Sequence, residues 1–333
     1  MKSPFTGKKM SLKKEDKIRS FRKEDFSIVH HSYYCKDSKE HFTTTQLDEI
    51  NLVQLYNKYR DKHHLPFVEE IKATRAKYGL SAVKMAEVLG FGVNSYRNYE
   101  NGEMPSLSNG KLIKLVNDPN KIKDLVLMSD GMTEAAKTKV LNRVEALIEK
   151  EKHDAFKTEF ENYLVNGGAP DEFSGFKKPD LNRFTQMIVF FAQKLSPWKT
   201  QLNKLLFYAD FLMFKKHGIA MSGMRYKAIQ MGPVPNNFNS IFDYFTKNGA
   251  IEILCKSFDN GGVGEQFLLP KNKQFNGALF NENELTVLRE VVDKFAHINT
   301  NQLIEISHKE KAWKANQAKR SLISYQLAFY LND

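Results

Sequence analysis

Asn94, Arg97 and Asn98 sit close together, between a glycine pair at Gly90 and Gly92 and the dipeptide Asn101-Gly102. Their side chains are of the kind that read base edges. An asparagine amide pairs bidentately with adenine, and an arginine guanidinium with guanine. Ser81, Lys84 and Ser95 around them offer two hydroxyls and an ammonium suited to positioning phosphates. A second group, Lys204, Tyr208, Asp210, Arg225, Tyr226 and His308, carries titratable side chains that would mark an active site if they converged. Each has a plainer role open to it. Tyr208 and Asp210 are two apart on a helix and do not share a face. Tyr226 is a good strand former, Asp210 and Arg225 suit an ion pair fixing strand to helix, and His308 ahead of Trp313 suits a packed helix end. No zinc-protease motif, Ser/His/Asp set or phosphate-cradling glycine loop is visible, since Gly261-Gly262-x-Gly264 lies in an expected hairpin. The expectation is a protein that is not an enzyme and uses no cofactor.

The first group needs two short helices and a turn. Ser81 can cap a helix whose apolar residues Val83, Ala86 and Leu89 recur at helical spacing. Gly90 and Gly92 supply the turn, and a second helix from about Val93 keeps Val93, Tyr96 and Tyr99 near one face. Asn94, Ser95, Arg97 and Asn98 are then free to project, and Asn101-Gly102 ends the helix because both tolerate left-handed geometry. The result is a helix-turn-helix whose second helix would lie in the major groove.

With 333 residues, 41% of them apolar and 12% aromatic, the chain has enough core material for two or three domains. Its net charge of +11 favours a polyanionic partner through counterion release. Cys35 and Cys255 are in no metal-ligand spacing, so a disulfide framework is not expected. The basic N-terminus lacks the apolar stretch of a signal peptide, and no run of about 18 apolar residues suggests a membrane span. A cytoplasmic protein is expected.

In chain order, residues 1–62 should open with strands over Lys17–Arg22 and Phe26–Tyr34, packed through Phe21, Phe26, Tyr33 and Phe42, and continue in a helix from Thr45 to about Arg60. Residues 63–120 hold the helix-turn-helix, between Pro66 and Asp118-Pro119-Asn120. Residues 121–179 hold a long helix, Thr133–Leu164, with Leu141, Val144, Ile148, Phe156 and Phe160 near one face. That helix suits an oligomerisation element, a strut or a surface packed on the next domain. A turn-rich linker, Gly167–Pro179, follows. Residues 180–333 form a mainly helical domain with a small sheet. Expected there are a helix over Leu181–Lys194 and a central helix begun by Ser196-Pro197 and stopped by Gly218. A strand at Tyr226–Ile229, a stiff turn at Met231–Pro235 and a hairpin around Asp259–Gly262 come next, with helices again from Glu282. Met231 and Val234, held by Pro233 and Pro235, offer either a contact surface with little ordering cost or a lid on the core. The fold class is therefore mainly α with small β elements.

Two stretches also resemble known families. Ala86–Gly102, A-x-x-L-G-F-G-V-N-S-Y-R-N-Y-E-N-G, resembles the Cro/repressor-type helix-turn-helix in the variant carried by MqsA-type antitoxins. That resemblance implies a third, packing helix, for which Ser108–Val116 is suited, and a homodimer on a palindromic operator. It extends to a zinc-ribbon-like head in which Ser3-Pro4-Phe5-Thr6-Gly7 and Cys35-Lys36-Asp37-Ser38 stand where paired C-x-x-C knuckles would hold zinc. Only one of four sulfurs remains, which implies a metal-free ribbon; His30, His31 and His41 with Cys35 are the alternative ligand set. The run Lys204–Phe211, then His217-Gly218, Ser222-Gly223, Arg225-Tyr226 and Met231–Pro235, with an echo at Ser307–Trp313, resembles the Panacea domain, also called SocA-like. This implies a protein-interaction module that neutralises a toxin by direct contact, with Lys204, Tyr208, Asp210, Arg225, Tyr226, Met231, Pro233 and Pro235 as candidate contacts. The expected whole is a type II antitoxin, of a bacterial or phage pair, that binds its toxin and its own operator DNA. The alternative is a one-component regulator whose last domain senses a ligand or a phage protein.

Overall fold

Strands β1 (Ser11–Phe21) and β2 (Glu24–Tyr34) are joined by Arg22 and Lys23 alone, both at positive φ, +49° and +67°. Two such residues make the tight turn whose twist matches a hairpin. β3 (His41–Phe42) pairs antiparallel with β2, setting Tyr33 opposite Phe42 and Tyr34 opposite His41. The computed structural model describes residues 1–259 and 261–332 of the chain. Helix α1 (Thr45–Lys62) is tied to β2 by two buried amides. Asn51 and Gln54 each accept from and donate to the β2 backbone at His31 and Val29, with distances of 2.8 to 3.0 Å. In effect two side chains continue the sheet's ladder into a helix.

Six further helices carry the chain through its middle: α2 (Val68–Tyr78), α3 (Ala82–Val88), α4 (Ser95–Glu100), α5 (Leu107–Leu115), α6 (Pro119–Leu127) and α7 (Glu134–Leu164). Beyond them come α8 (Leu181–Leu195), α9 (Lys199–His217), the antiparallel pair β4 (Tyr226–Ile229) and β5 (Gly232–Pro235), and α10 (Phe238–Lys247). The hairpin β6 (Glu252–Ser257) and β7 (Val263–Leu268) follows, then α11 (Glu282–Phe295), α12 (Thr300–Lys309) and α13 (Lys311–Lys314). Asn260, in the expected turn of that hairpin, and Asp333 lie outside the described residues. The class is mainly α with small antiparallel sheets, as expected.

The compact units do not follow the expected boundaries. One gathers Met1–Lys17, Ser27–Gln54 and everything from Glu161 onward; the other gathers Ile18–Phe26 with Leu55–Phe160. Residues 1–62 are thus no separate head. In the first unit Lys14 Nζ donates to Phe329 O at 2.6 Å, and the His31 and Phe329 rings stand 4.9 Å apart. The 167–179 stretch is no loose linker either. Ser174 and Phe176 are buried, and Tyr325 N donates to Glu172 O at 3.0 Å.

In the second unit, one core joins Ile71, Tyr78, Met85, Ala86, Tyr96, Tyr99 and Ile113 to Ile122 and Val126 of α6 and Val140 and Val144 of α7. Asp118-Pro119 therefore does not close the domain. It starts α6, with Asp118 accepting from Asn120 N at 2.9 Å and proline at the first helical position. Of the expected apolar face of α7, Val144 is buried and Leu141 and Ile148 are half-buried, while Phe156 is 83% exposed. In the first unit, Gly232–Pro235 is a strand and not a plain turn, and α9 starts after Trp198, since Ser196 is the left-handed end of α8.

Candidate nucleic-acid interface and partner-binding domain

Ser81 caps α3 as expected, its hydroxyl accepting from Lys84 N at 3.2 Å. The buried side of α3 and its C-cap is Met85, Ala86, Val88 and Leu89, so Ala86 and Leu89 are inside as expected while Val83 is exposed. Gly90 takes the left-handed conformation, φ +67°, that the turn requires. α4 begins at Ser95, later than expected. Val93 stays in the turn at 66% exposure, so Tyr96 and Tyr99 anchor the helix without it. Tyr96 OH donates to Ile71 O at 2.8 Å, and burial raises its pKa. Asn109 Nδ2 donates to Tyr99 OH at 3.0 Å, tying α5 across the pair.

With both tyrosines turned inward, Asn94, Arg97 and Asn98 are exposed together, and Ser95 is half-buried beside them. Ser81 is exposed too. Lys84 is not free, because its ammonium is held by Glu87 at 2.9 Å and by Gly131 O at 2.9 Å. That bond also lowers the Glu87 pKa. Ser81 and Lys84 line a cleft of about 300 Å³ whose walls include Lys139 and Arg143, a basic surround that the short motif gave no hint of.

Three arginines that sequence reasoning missed hold this arrangement. Arg75 binds both carboxylate oxygens of Glu100, at 2.7 and 3.3 Å, and reaches Leu80 O at 2.8 Å, so it braces the end of α4 against the start of α3. Arg22, at the hairpin tip, donates to Pro105 O and Met104 O at 3.0 and 3.1 Å. Arg60 donates to Gly102 O at 2.9 Å. The loop leaving α4 is thereby gripped from two sides, through Gly102, which alone of the Asn101-Gly102 pair is left-handed. Carbonyl targets of this kind leave no trace in a sequence.

The second group of residues lies in the other unit and does not converge on one site. Asp210 is fully buried and accepts from Met221 N at 2.9 Å, Ser222 N at 2.7 Å, Tyr226 OH at 2.8 Å and the Ser222 hydroxyl. Burial raises its pKa and the four donors oppose that rise. Arg225 pairs with Asp171 at 2.8 Å and not with Asp210. Tyr208 OH donates to the buried Glu310 at 3.1 Å, and Asn332 donates to the other Glu310 oxygen. Lys204 is wholly buried, donates to Pro233 O at 3.1 Å, and is pushed down to about 7 by burial. Gly232 lies against it: a Cβ there would come within 2.5 Å of Lys204 Cε, at a φ of +101°. His308 stacks on Trp313 at 3.8 Å, and Trp313 Nε1 donates to Ile229 O at 2.8 Å.

Of the eight candidate toxin contacts, Lys204, Tyr208, Asp210, Tyr226, Pro233 and Pro235 are therefore interior and cannot touch a partner of the folded chain. Arg225 is half-buried and Met231 is 47% exposed. Val234 covers the core. The motif fixes α9 to β4, β5 and the last helices. Glu310 could have been found from its place in the Ser307–Trp313 echo, and Ser222 from the Ser-Gly pair.

Near the N-terminus, Ser3, Thr6 and Cys35 come together. Cys35 Sγ lies 3.4 Å from Ser3 Oγ and 3.8 Å from Thr6 Oγ1, and Ser3 Oγ also accepts from Phe5 N and Thr6 N. His41 is engaged by Ser32 at 2.9 Å. Among the described residues no three His, Cys, Asp or Glu side chains are placed to hold a metal ion. Among them, too, no helix is long and apolar enough to cross a membrane.

Comparison with known families agrees with this division. Residues 202–314 match the family described as "Antitoxin SocA-like, Panacea domain", and residues 71–118 match "Helix-turn-helix". The chain carries a Panacea domain behind a helix-turn-helix. No curated protein and no solved structure matches it. Both families are regulatory and not enzymatic; the first implies a protein partner and the second DNA. The Panacea match takes in Asp210, Ser222, Tyr226, Gly232 and Glu310, the residues that hold its core together.

Proposed function

We propose that the protein is the antitoxin of a type II toxin–antitoxin pair, of bacterial or phage origin and of use in phage defence. The Panacea domain binds and silences the cognate toxin, and the helix-turn-helix binds the operator of the same operon. The observation that carries the reading is the presence of both modules in one chain, with the polar face of α4 turned outward by Tyr96 and Tyr99. Asn94, Arg97 and Asn98 contact base edges, while Ser81, Ser95 and Lys84 reach phosphates, Lys84 by exchanging Glu87 for the backbone. The chain acts on DNA as a homodimer, on half-sites one or more helical turns apart. On the toxin side, Met231 is the one candidate contact that stands clear of the core.

The test expresses the product of the adjoining reading frame alone and together with the full chain. Growth arrest by the first and recovery with the second, joined to co-purification of the two proteins, is the expected result. Arrest without recovery, or no arrest, overturns neutralisation. For DNA, the full chain should retard its own upstream region and lose that preference when Asn94, Arg97 and Asn98 are replaced by alanine. Retention of the preference overturns the assignment of α4. Truncation is a poor substitute, because residues 1–17 and 27–54 belong to the same unit as the Panacea domain.

A further inference from the structure

The cleft beside Ser81 and Lys84 is walled in part by α7, a helix that lies beyond the 71–118 helix-turn-helix match. Val140 and Val144 of α7 are buried in the core that also holds Met85 and Ala86 of α3 and Tyr96 of α4. That packing fixes the exposed neighbours of the two valines relative to the helix pair. Lys139 and Arg143 are among those neighbours, four apart and so on one side of α7.

Charge selects what the cleft holds. Its walls carry Lys84, Lys139 and Arg143 and, among the described residues, no acid. Other cations of the unit meet carboxylates: Lys77 with Glu151, Lys123 with Glu145, Lys137 with Glu134 and Lys152 with Glu149. Lys139 is exposed and has no polar partner among the described residues. Arg143 donates through Nε to Lys77 O at 2.8 Å and through Nη2 to Ala76 O at 3.4 Å. Those bonds orient the guanidinium and leave Nη1 without a partner among the described residues. An unpaired ammonium beside a pre-oriented guanidinium is an anion site, served by charge-assisted hydrogen bonds. Tyr78, the aromatic residue of the lining, is 1% exposed and donates its OH to Val116 O at 2.6 Å. No ring face is therefore offered for stacking a base, the contact by which single strands are gripped.

We propose that this cleft seats a backbone phosphate of duplex DNA, with the Lys139 ammonium and Arg143 Nη1 as donors, so that α7 extends the DNA interface past the helix-turn-helix. The proposal rests on the reading that this unit binds DNA. Lys139 adds affinity and no sequence preference, since phosphate contacts position and base contacts specify.

The test measures binding of the full chain to its own upstream duplex and to an unrelated duplex of equal length, over a series of salt concentrations. Lys139→Ala is the variant of choice, because Lys139 is exposed and unpaired while Arg143 also ties down the end of α2. For each protomer bound, it should weaken both duplexes alike, about fivefold to tenfold at about 0.1 M salt. The slope of log affinity against log salt should fall by about 0.9 per protomer. Lys139→Arg should restore both values. Lys152, held by Glu149 at 2.8 Å, is the control, and Lys152→Ala should change neither. Parent-like affinity and slope in Lys139→Ala overturn the cleft assignment and leave operator binding standing. A loss on the upstream duplex alone makes Lys139 a base contact and overturns the assignment too. A parent that holds both duplexes equally, yet loses affinity and slope with Lys139→Ala, overturns the operator reading and keeps the phosphate seat. A parent that binds neither duplex overturns both. If Lys139→Ala leaves DNA binding untouched and weakens the complex with the product of the adjoining reading frame, the cleft belongs to an acidic protein surface and the proposal falls.

Discussion

The two family-matched regions use their polar residues in opposite directions. In the helix-turn-helix, aromatic residues turn inward and Asn94, Arg97 and Asn98 are left outside. In the Panacea domain, Lys204, Asp210 and Tyr226 are inside and hold elements together. A run of polar residues at helical spacing is therefore left in solvent in one place and used as scaffold in the other. What separates them is the supply of partners: Asp210 has four donors waiting for it, and the side chains of Asn94, Arg97 and Asn98 have none among the described residues.

The largest effect that could break this contrast is on Asp210. Asp210→Ala leaves Ser222 and Tyr226 without their acceptor and should cost about 3–5 kcal/mol. Trp198 and Trp313, the chain's two tryptophans, both lie in that unit, so urea unfolding followed by their fluorescence reads it directly. An unchanged midpoint with loss of partner binding would make Asp210 a contact residue instead.

Next, Arg97→Ala should weaken specific operator binding by about 1–3 kcal/mol, roughly 5-fold to 160-fold. It should leave thermal stability unchanged, as measured by retardation assays and calorimetry side by side. A stability loss with unaltered DNA preference would move Arg97 to the scaffold class.

Lys204 sharpens the contrast through pH. Its folded value of about 7 lies below its ordinary 10.5. Between those values the unfolded chain holds a proton that the folded chain has released, so stability rises with pH across the window and is flat below it. The contribution is about 1.4 kcal/mol per pH unit. Lys204→Met should flatten the rise between pH 8 and 9 relative to the parent in urea midpoints. The smallest effect is expected at Val93, where alanine should change stability by less than about 0.5 kcal/mol, because the side chain is in solvent.

Helix existence was largely legible in the chain. Ser81, Gly90 and Gly218 mark their ends by local backbone chemistry, and that chemistry is carried within a few neighbouring residues. Boundaries of compact units were not legible. Asp118-Pro119 is as good a helix start as a domain end, and the choice depends on Ile122 and Val126 finding the same core as Tyr96. Spacing alone placed Val93 on the buried face, but the turn extends through it, so tertiary geometry overrode periodicity. For the candidate site, the outward residues of α4 could be named from sequence. The clamps of Arg22, Arg60 and Arg75 could not, since two of them end on carbonyl oxygens supplied by residues far along the chain. The Asp210–Arg225 pairing failed for a related reason: Asp171, in an apparent linker, is the acid that Arg225 meets.

The routing of the chain has a consequence for its birth on the ribosome. Lys14 and Phe329, which touch, are 315 residues apart. At 5–20 residues per second, the earliest segment waits roughly 15 to 60 s for its last neighbour to be synthesised. The stretch from Ile18 to Phe26 and Leu55 to Phe160 has no such delay and can mature while the remainder is still being made. In each round of translation, the unit with the helix-turn-helix is ready before the unit with the Panacea domain.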